Sequence, residues 1–505
     1  MIRLLRRNLA IMYGGYAVSI ASALVATPII VDALGKERYG LWVFIGALTV
    51  YLGLMDFGVG PAVIRFAALE RGRRGDVAGL ASTATAVYAA VGLVSAGLAV
   101  GLAWLVPELI EVPAELVWPA RVATLLVAGT VLVRFPFVVG QSLLVAAQRF
   151  DVTNVAGAAS LVLYTALVVW LLPGSGSLVL LAGLALAAAA FRYLTPLPWV
   201  PREYPGLRVS PRLVTRGRTR ELLGFSWYSL LIQIAAKLVT SMDVIVIGVI
   251  LGPEAAALYG VPSRLFGLGL SLGTVGTNIV FPAFSELEGR AEYARQVDLL
   301  LVALRAGMAL MAVVALPLAL VPDLIIRGWI GPGFEDSTPV LVLLALALVA
   351  HQPANVLSHY LSARARQREL AFVSLGVVSA NLGLSIALAF TVGIWGVALA
   401  TLVTLLFETV FLVPRLAERA GGPRPAAVAR ASLRPLLPAA LAAALVLGAG
   451  GRLLEPDHIP GLAALAAAWL AVAAPAIWLL GLHPAERRRI RARLVPQAVS
   501  DEAPA

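Results

Sequence analysis

Ionisable side chains inside long apolar segments are the groups of this sequence best placed to do chemistry. A charge at the centre of a bilayer costs about 2.5–3.5 kcal/mol, so such a side chain must face a cavity or a partner. The basic candidates can neutralise an anion, and arginine offers paired N–H donors for that purpose. They are Arg65, Arg134, Lys237, Arg264 and Arg305.

Lys237 lies deepest among these basic residues. It stands 15 residues before Gly252 and 16 after Glu221, near the middle of an apolar segment. Gln233, Lys237 and Ser241 follow one another at intervals of four residues and therefore share one face of a helix. This polar face predicts the lining of a water-filled cavity, and a structural contact between two helices is the alternative.

Three acidic residues, Asp56, Asp243 and Glu408, have similar apolar surroundings. A carboxylate inside a membrane can carry a coupling proton or sodium ion. Asp56 lies between two glycines, and pairing with a nearby arginine is its alternative role. Asp243 follows Lys237 by six residues, about 240° around a helix, and therefore faces elsewhere.

Arg134 precedes Pro136 in the fourth apolar segment. Proline has no N–H to donate, and its ring clashes with the preceding turn of a helix. We therefore expect a kink here, with backbone carbonyls freed close to the Arg134 side chain.

The composition indicates that these residues lie on membrane-spanning helices. The chain has 505 residues, of which 60% are hydrophobic and 13% charged, and its mean hydropathy is +0.90. Soluble domains carry about 25% charged residues, so a soluble enzyme is excluded. An all-α polytopic membrane protein remains, and fourteen apolar segments fit the length. They cover residues 9–33, 40–68, 79–105, 118–146, 153–172, 177–199, 222–250, 256–284, 297–321, 338–361, 370–391, 394–413, 434–450 and 461–482.

The loop charges support this layout. Of 39 basic residues, 28 fall in the N-terminal segment and every second loop, and the intervening loops hold only Lys36, Arg38, Arg327 and Arg452. Lys and Arg stay on the cytoplasmic side, so we expect both termini in the cytoplasm. The net charge of +11 thus reflects topology and attraction to anionic membrane lipids, and we expect no nucleic-acid partner.

The sequence also contains an internal repeat. Leu34-Gly35 and Tyr39-Gly40 recur as Leu251-Gly252 and Tyr259-Gly260, displaced by 217 and 220 residues. Chance recurrence of common turn dipeptides is the alternative. Because the repeat unit is six spans long, its two copies share one orientation, which predicts two parallel six-helix bundles around a central cavity.

This repeat predicts six segments. They are an N-terminal bundle at 1–200, a basic cytoplasmic linker at 201–221, a C-terminal bundle at 222–415, a basic loop at 416–433, two additional helices at 434–483 and a cytoplasmic tail at 484–505.

Several local motifs resemble a known family. The sequence is similar to the oligosaccharide flippases, including the Wzx-type, of the multidrug/oligosaccharidyl-lipid/polysaccharide (MOP) exporter superfamily. The motifs are Thr27-Pro28-Ile29-Ile30, Leu34-Gly35-Lys36-Glu37-Arg38-Tyr39-Gly40, Asp56-Phe57-Gly58-Val59-Gly60 with Arg65, and in the second copy Asp243 with Leu251-Gly252-Pro253-Glu254.

The resemblance implies a V-shaped fold of two bundles in the bacterial inner membrane. It implies a polyprenyl-diphosphate-linked oligosaccharide as substrate, with Lys237 and the arginines contacting the diphosphate or sugar, and a polymerase and glycosyltransferases as partners. Ion-coupled multidrug exporters and peptidoglycan-precursor flippases share this fold, so the fold alone leaves the function open between them. One chain contains both halves, which predicts a monomer.

Motifs for other chemistry are missing from the sequence. There is no cysteine, there are four histidines, and no phosphate-binding loop or nucleophile–base constellation occurs. A membrane glycosyltransferase or polymerase usually carries catalytic residues on sizeable outer loops, and the outer loops here are short. We therefore expect a transporter rather than an enzyme, with no cofactor or bound metal apart from a coupling proton or sodium ion.

Overall fold

A computed structural model of the chain describes residues 2–73, 75–110, 112–278, 280–454, 459–481 and 487. Side chains are described within these ranges except at 2–13, 73, 224–240, 275–276, 278, 448–454, 459–460 and 462–463. Every regular element in the described ranges is helical, which confirms the predicted all-α class. Among these residues, eleven helices are long and apolar enough to cross a membrane. The predicted number of fourteen spans stays a prediction.

Contacts between helices divide the chain into two units. The first unit comprises Met1–Val261 with Ile386–Val397, and the second comprises Pro262–Ser385 with Ala398–Ala505. The predicted second bundle begins at residue 222, whereas the boundary between the contact-defined units follows Val261. The predicted segment ranges stay predictions.

The first unit is built from nine helices and the beginning of a tenth. In chain order they are α1 (Ile2–Leu52), α2 (Val59–Arg73), α3 (Val77–Leu109), α4 (Ala114–Leu132), α5 (Arg134–Ala146), α6 (Phe150–Leu171), α7 (Leu178–Leu194), α8 (Val200–Glu203), α9 (Arg216–Leu251) and α10 (Pro253–Asn278). Short 3₁₀ turns cover Gly53–Asp56, Leu197–Trp199 and Pro211–Leu213.

The remaining helices belong to the second unit, except that α15 and α16 also supply the segment Ile386–Val397. They are α11 (Phe281–Gly289), α12 (Tyr293–Leu320), α13 (Pro322–Trp329), α14 (Ser337–Ala363), α15 (Gln367–Val392), α16 (Ile394–Phe407), α17 (Val413–Arg419), α18 (Pro425–Leu454) and α19 (Ile459–Ala476). Two turns of π-helix cover Glu408–Leu412 and Ile477–Gly481.

Short polar residues determine where several helices begin. A side-chain oxygen at the N-cap satisfies an N–H of the first turn, which has no partner within the helix. Asp76 accepts the Gly79 N–H at 2.7 Å before α3, and Ser177 accepts the Leu180 N–H at 3.2 Å before α7.

The backbone carries the repeat that the dipeptides indicate. Gly35 interrupts α1 with φ 72° and ψ 173°, and Gly252 ends α9 with φ 86° and ψ −179°. Two more left-handed positions recur after the same 217 residues. They are Gln148 with Ala365 and Gly176 with Gly393. The two copies thus share their breaks as well as their dipeptides.

Glycines let helices of the first unit approach closely. A Cβ at Gly40 would overlap the Pro253 carbonyl, and one at Gly248 would overlap the ring of Phe44. Small residues at crossings are typical of membrane helices, which gain their packing energy from close contact because lipid is as apolar as the helix surface. The glycine of Tyr39-Gly40 is therefore a packing requirement at the crossing of α1 with the start of α10.

Candidate functional site

The connection between α1 and α2 places Asp56 at a helix end inside the first unit. A 3₁₀ turn, Gly53–Asp56, is followed by two left-handed residues, Phe57 (φ 50°) and Gly58 (φ 74°). Pro61 reinforces the break because it cannot donate a hydrogen bond to the Phe57 carbonyl. The Asp56 carboxyl thereby lies just before the N-terminus of α2, where the helix dipole favours negative charge.

Both oxygens of the buried Asp56 carboxylate are bound. Asp56 is 1% exposed. The Tyr88 hydroxyl on α3 donates to Oδ1, and Arg134 Nη2 on α5 donates to Oδ2 at 2.6 Å. The structure therefore forms the arginine pair that the sequence left as an alternative to an ion-carrying role. Charge-assisted hydrogen bonds of this kind are the strong ones.

The break between α4 and α5 positions Arg134. The helix stops at Leu132 and resumes at Arg134, because Pro136 has no N–H for the Leu132 carbonyl. The helix is interrupted at Val133, three residues before Pro136, and the predicted kink of its axis stays a prediction. The Arg134 side chain is 30% exposed, against 2% for Asp56. The Arg134 side chain is thus only partly enclosed while Asp56 binds it.

An apolar cavity adjoins this cluster. Tyr88 stacks on Phe135, with ring centroids 5.9 Å apart, and both rings line a space of about 280 Å³. A Cβ at Gly60 would lie 3.4 Å from the Tyr88 hydroxyl and 3.6 Å from Asp56 Oδ2. The glycine leaves room for the start of α2 to approach both side chains.

The second predicted carboxylate, Asp243, is also paired with a tyrosine. The Tyr259 hydroxyl on α10 donates to Asp243 Oδ2 at 2.7 Å, and Asp243 is 8% exposed. Ser241 lies half-buried on the same helix, α9. Gln233 and Lys237 belong to this helix as well, but their side chains fall outside the described residues.

The other predicted cations have different surroundings. Arg65 is exposed on α2, with its guanidinium 5.7 Å from the centroid of the Phe66 ring. Arg264 is exposed on α10, and Arg305 is half-buried on α12. Within the first unit, the structure brings Arg134 together with Asp56. The assignment of Arg65, Arg264 and Arg305 to a substrate cavity stays a prediction.

Glu408, the third predicted acid, lies in the second unit. It is 8% exposed and begins the π-helical turn Glu408–Leu412, between α16 and α17. Its ion-coupling role also stays a prediction.

Arginines outside the apolar spans tie helix ends together. Arg149 contacts Asp151 at 3.0 Å and Glu203 at 2.7 Å in the first unit. Hydrogen bonds to Asp151 and Glu203 raise the pKa of Arg149. Arg364 contacts Glu288 at 2.8 Å in the second unit. The loop arginines whose positions predict the topology thus also form ion pairs in the folded structure.

Comparison with known proteins identifies the family. A family model described as "Polysaccharide biosynthesis protein" matches residues 33–339, which is more than half of the chain. The chain belongs to the polysaccharide biosynthesis protein family. EpsK of Bacillus subtilis, described as an uncharacterized membrane protein, is 22% identical over 420 residues, covering 81% of this chain and 82% of EpsK.

Solved structures show which fold this family member has. The lipid II flippase MurJ in an inward closed conformation aligns with a TM-score of 0.69 at 14% identity, covering 92% of this chain and 98% of that one. An inward-facing multidrug resistance MATE family transporter of the MOP superfamily aligns with a TM-score of 0.65 at 16% identity, covering 79% and 94%. The fold of the MOP superfamily is confirmed, and the chain is a multi-pass membrane protein.

Tyrosines are the residues that sequence reasoning missed in this family member. Tyr88 and Tyr259 each bind a predicted carboxylate, yet neither was a candidate. The available signal was the phenol hydroxyl, which needs a hydrogen-bond partner when it is buried in an apolar segment. The sequence does not say which acid that partner is.

Proposed function

We propose that this protein is a flippase that turns a polyprenyl-diphosphate-linked oligosaccharide from the inner to the outer leaflet. The match of residues 33–339 to the polysaccharide biosynthesis family carries the proposal. The fold that the chain shares with a lipid II flippase supports a lipid-linked substrate. Its product would serve assembly of O-antigen, capsule or exopolysaccharide, and alternating access of the two halves would move it.

The polar cluster of the first unit supports an anionic substrate. A diphosphate that leaves the headgroup layer needs charge neutralisation, which a guanidinium supplies through two parallel hydrogen bonds. Asp56 fixes Arg134 through one N–H, and the arginine side chain stays partly exposed. We assign Asp56 and Tyr88 the role of holding Arg134 for the substrate.

The other residues predicted from the sequence also have roles in this proposal. Lys237, Arg65, Arg264 and Arg305 would share the diphosphate charge, and Gln233 and Ser241 would bind sugar hydroxyls. The protein would act as a monomer in the bacterial cytoplasmic membrane, with both termini in the cytoplasm. Glycosyltransferases would supply the substrate and a polymerase would consume it. A proton or sodium gradient would drive the cycle, without a further cofactor.

An ion-coupled multidrug exporter is the second candidate, because the chain also has the fold of a MATE transporter. Such a protein needs a carboxylate that is available to a cationic drug. Asp56 does not offer one in this conformation, since both of its oxygens are bound and one of them by an arginine. The pairing of Asp56 therefore favours the flippase over an exporter that uses this acid.

Gene deletion with leaflet-resolved lipid analysis tests the proposal. Deletion should make the polyprenyl-linked oligosaccharide accumulate in the inner leaflet, and the wild-type gene should clear it. Lys237→Ala should insert normally and fail to clear it. Arg134→Ala should also fail to clear it, and its amount in the membrane is measured in parallel because this variant loses the pair with Asp56. Arg192→Ala, which changes an exposed arginine on α7, serves as the matched control. Unchanged glycan together with sensitivity to cationic drugs would establish the exporter instead.

A further inference from the structure

The helix that carries Glu408 contains a π-helical turn that begins at that residue. The Val413 N–H donates to the Glu408 carbonyl five residues earlier, which defines a π-helical turn. Pro414 follows and has no N–H, so the Val410 carbonyl cannot receive its usual helical bond. Single π turns inside α-helices are frequent at functional positions.

Glu408 is a buried residue whose carboxyl makes no hydrogen bond within the described residues. It is 8% exposed and lies inside the membrane-spanning segment Ile394–Arg419. In the part of the chain that the structure describes, no hydrogen bond or ion pair reaches it. An ionised carboxylate in such a place is disfavoured, and a bound proton removes that cost.

The neighbouring helix carries a buried group without a hydrogen-bond partner among the described residues. The Thr409 hydroxyl donates to the Ala350 carbonyl at 2.6 Å and ties the π turn to α14. The next residue on α14 is His351, whose Nδ1 is buried without a hydrogen-bond partner among the described residues. The titratable and charged groups on α14 and α17, which both pack against the turn, are His351, His359, Tyr360, Arg415, Glu418 and Arg419.

We propose that Glu408 is the proton-coupling site of this flippase, an inference that rests on the proposed function. The carboxyl holds a proton in the conformation described. When the second unit rearranges and water reaches the π turn, the proton passes from the carboxyl oxygen to a water molecule and leaves a carboxylate.

The surroundings favour a proton over a sodium ion. Hard cations are bound by several oxygen ligands at once. Within the described residues, no group of three or more His, Asp or Glu side chains forms a metal site, and no hydroxyl or carbonyl is bonded to the Glu408 carboxyl. A single carboxyl suffices for a proton.

The site belongs to one copy of the repeat. The residue 217 positions before Glu408 is Phe191, which is 36% exposed at the end of α7. The first unit thus has no carboxyl at the equivalent position, so one proton per transport cycle is expected from this site.

Infrared spectroscopy of the purified full chain tests the proton directly. In vesicles of phosphatidylethanolamine and phosphatidylglycerol, the wild type should show the C=O stretch of a protonated carboxyl, shifted in D₂O and lost as the pH is raised. Glu408→Gln should abolish this band. Glu418→Gln, an exposed glutamate on α17, should keep it. A band that survives in Glu408→Gln, or its absence from the wild type at neutral pH, overturns the proposal.

Transport in cells separates this proposal from the flippase itself. Clearance of inner-leaflet glycan should be lost in Glu408→Gln, to the level of the deletion strain, and stay normal in Glu418→Gln. If Glu408→Gln clears glycan as the wild type does, or a sodium gradient alone drives clearance, the proton site is wrong and the flippase stands. If the wild type clears no glycan, the flippase is wrong, and the infrared band still decides whether Glu408 binds a proton.

Discussion

Asp56 in the first unit and Glu408 in the second are both buried acids in membrane-spanning helices, yet their surroundings differ. Asp56 binds Tyr88 and Arg134, whereas Glu408 has no such bond within the described residues. The bound carboxyl of Asp56 fixes its two partners in place. An unpaired one can gain and lose a proton. The same side-chain chemistry thus supports positioning in one unit and coupling in the other.

The backbone explains how the difference arises. Asp56 precedes a new helix start, and Arg134 begins another, so two helix breaks bring the charges together. Glu408 lies within a continuous helical segment whose only irregularity is a π turn. The two helix breaks bring Asp56 and Arg134 together, whereas the π turn changes the helix only around Glu408.

Removing the Asp56 carboxylate should have the largest effect on stability. Asp56→Ala leaves Arg134 without its buried partner, and breaking such a pair costs about 3–5 kcal/mol. The free energy of unfolding of the purified chain in detergent measures this loss. Asp323→Ala, at an exposed aspartate that binds Thr338, is the control. Equal stability of the two variants would show that the Asp56 pair has no structural role.

Tyr88→Phe should have the next largest effect. It leaves Oδ1 of Asp56 unsatisfied, at a cost of about 1–3 kcal/mol. A double-mutant cycle with Asp56→Asn isolates the contribution of this hydrogen bond. A coupling energy near zero would mean that the phenol and the carboxylate act independently.

Thr409→Val should weaken the second unit by less. It removes one hydrogen bond between α14 and the π turn, and interhelical bonds of this kind contribute about 0.6 kcal/mol on average. Thr391→Val, where the hydroxyl bonds within its own helix, is the control in the same unfolding measurement. Loss of glycan clearance at nearly unchanged stability would show that the hydrogen bond between Thr409 and Ala350 is needed for transport.

Glu408→Gln should change stability least, by about 0.5 kcal/mol or less, because an amide resembles the protonated carboxyl in size and neutrality. Asp56→Asn, measured beside it, should be clearly destabilising because Arg134 loses a charged acceptor. Comparing the unfolding free energies of Glu408→Gln and Asp56→Asn tests whether the two acids differ in this way. Equal losses would mean that Glu408 has a bound partner, as Asp56 has.

Sequence reasoning found the individual charges but not their arrangement. Asp56 and Arg134 stand out because each is a charge in an apolar segment, and Pro136 marks a break in the helix near Arg134. Pairing of Asp56 with an arginine was one of its two expected roles. Which arginine it binds could not be predicted, since 78 residues separate the two and the orientation of each depends on a backbone break. The membrane-spanning class and the repeat were predictable because hydropathy, loop charge and glycine dipeptides are local signals.

The π turn illustrates the same limit on a smaller scale. Pro414 marks an irregularity in the sequence, but whether a helix responds with a kink, a stop or a π turn depends on the helices around it. Here the Thr409 contact with α14 accompanies the rewound turn. The burial of Glu408 could be expected from hydropathy, whereas its lack of a partner required the structure.

The recurrence of left-handed residues after 217 positions has a practical consequence for spectroscopy. Gln148 and Ala365 occupy equivalent turns, one in each unit, and both side chains are exposed. The natural chain contains no cysteine, so a thiol introduced at each position would be a unique attachment point for a spin label or dye. The distance between two such labels would report how far the halves move as the protein works.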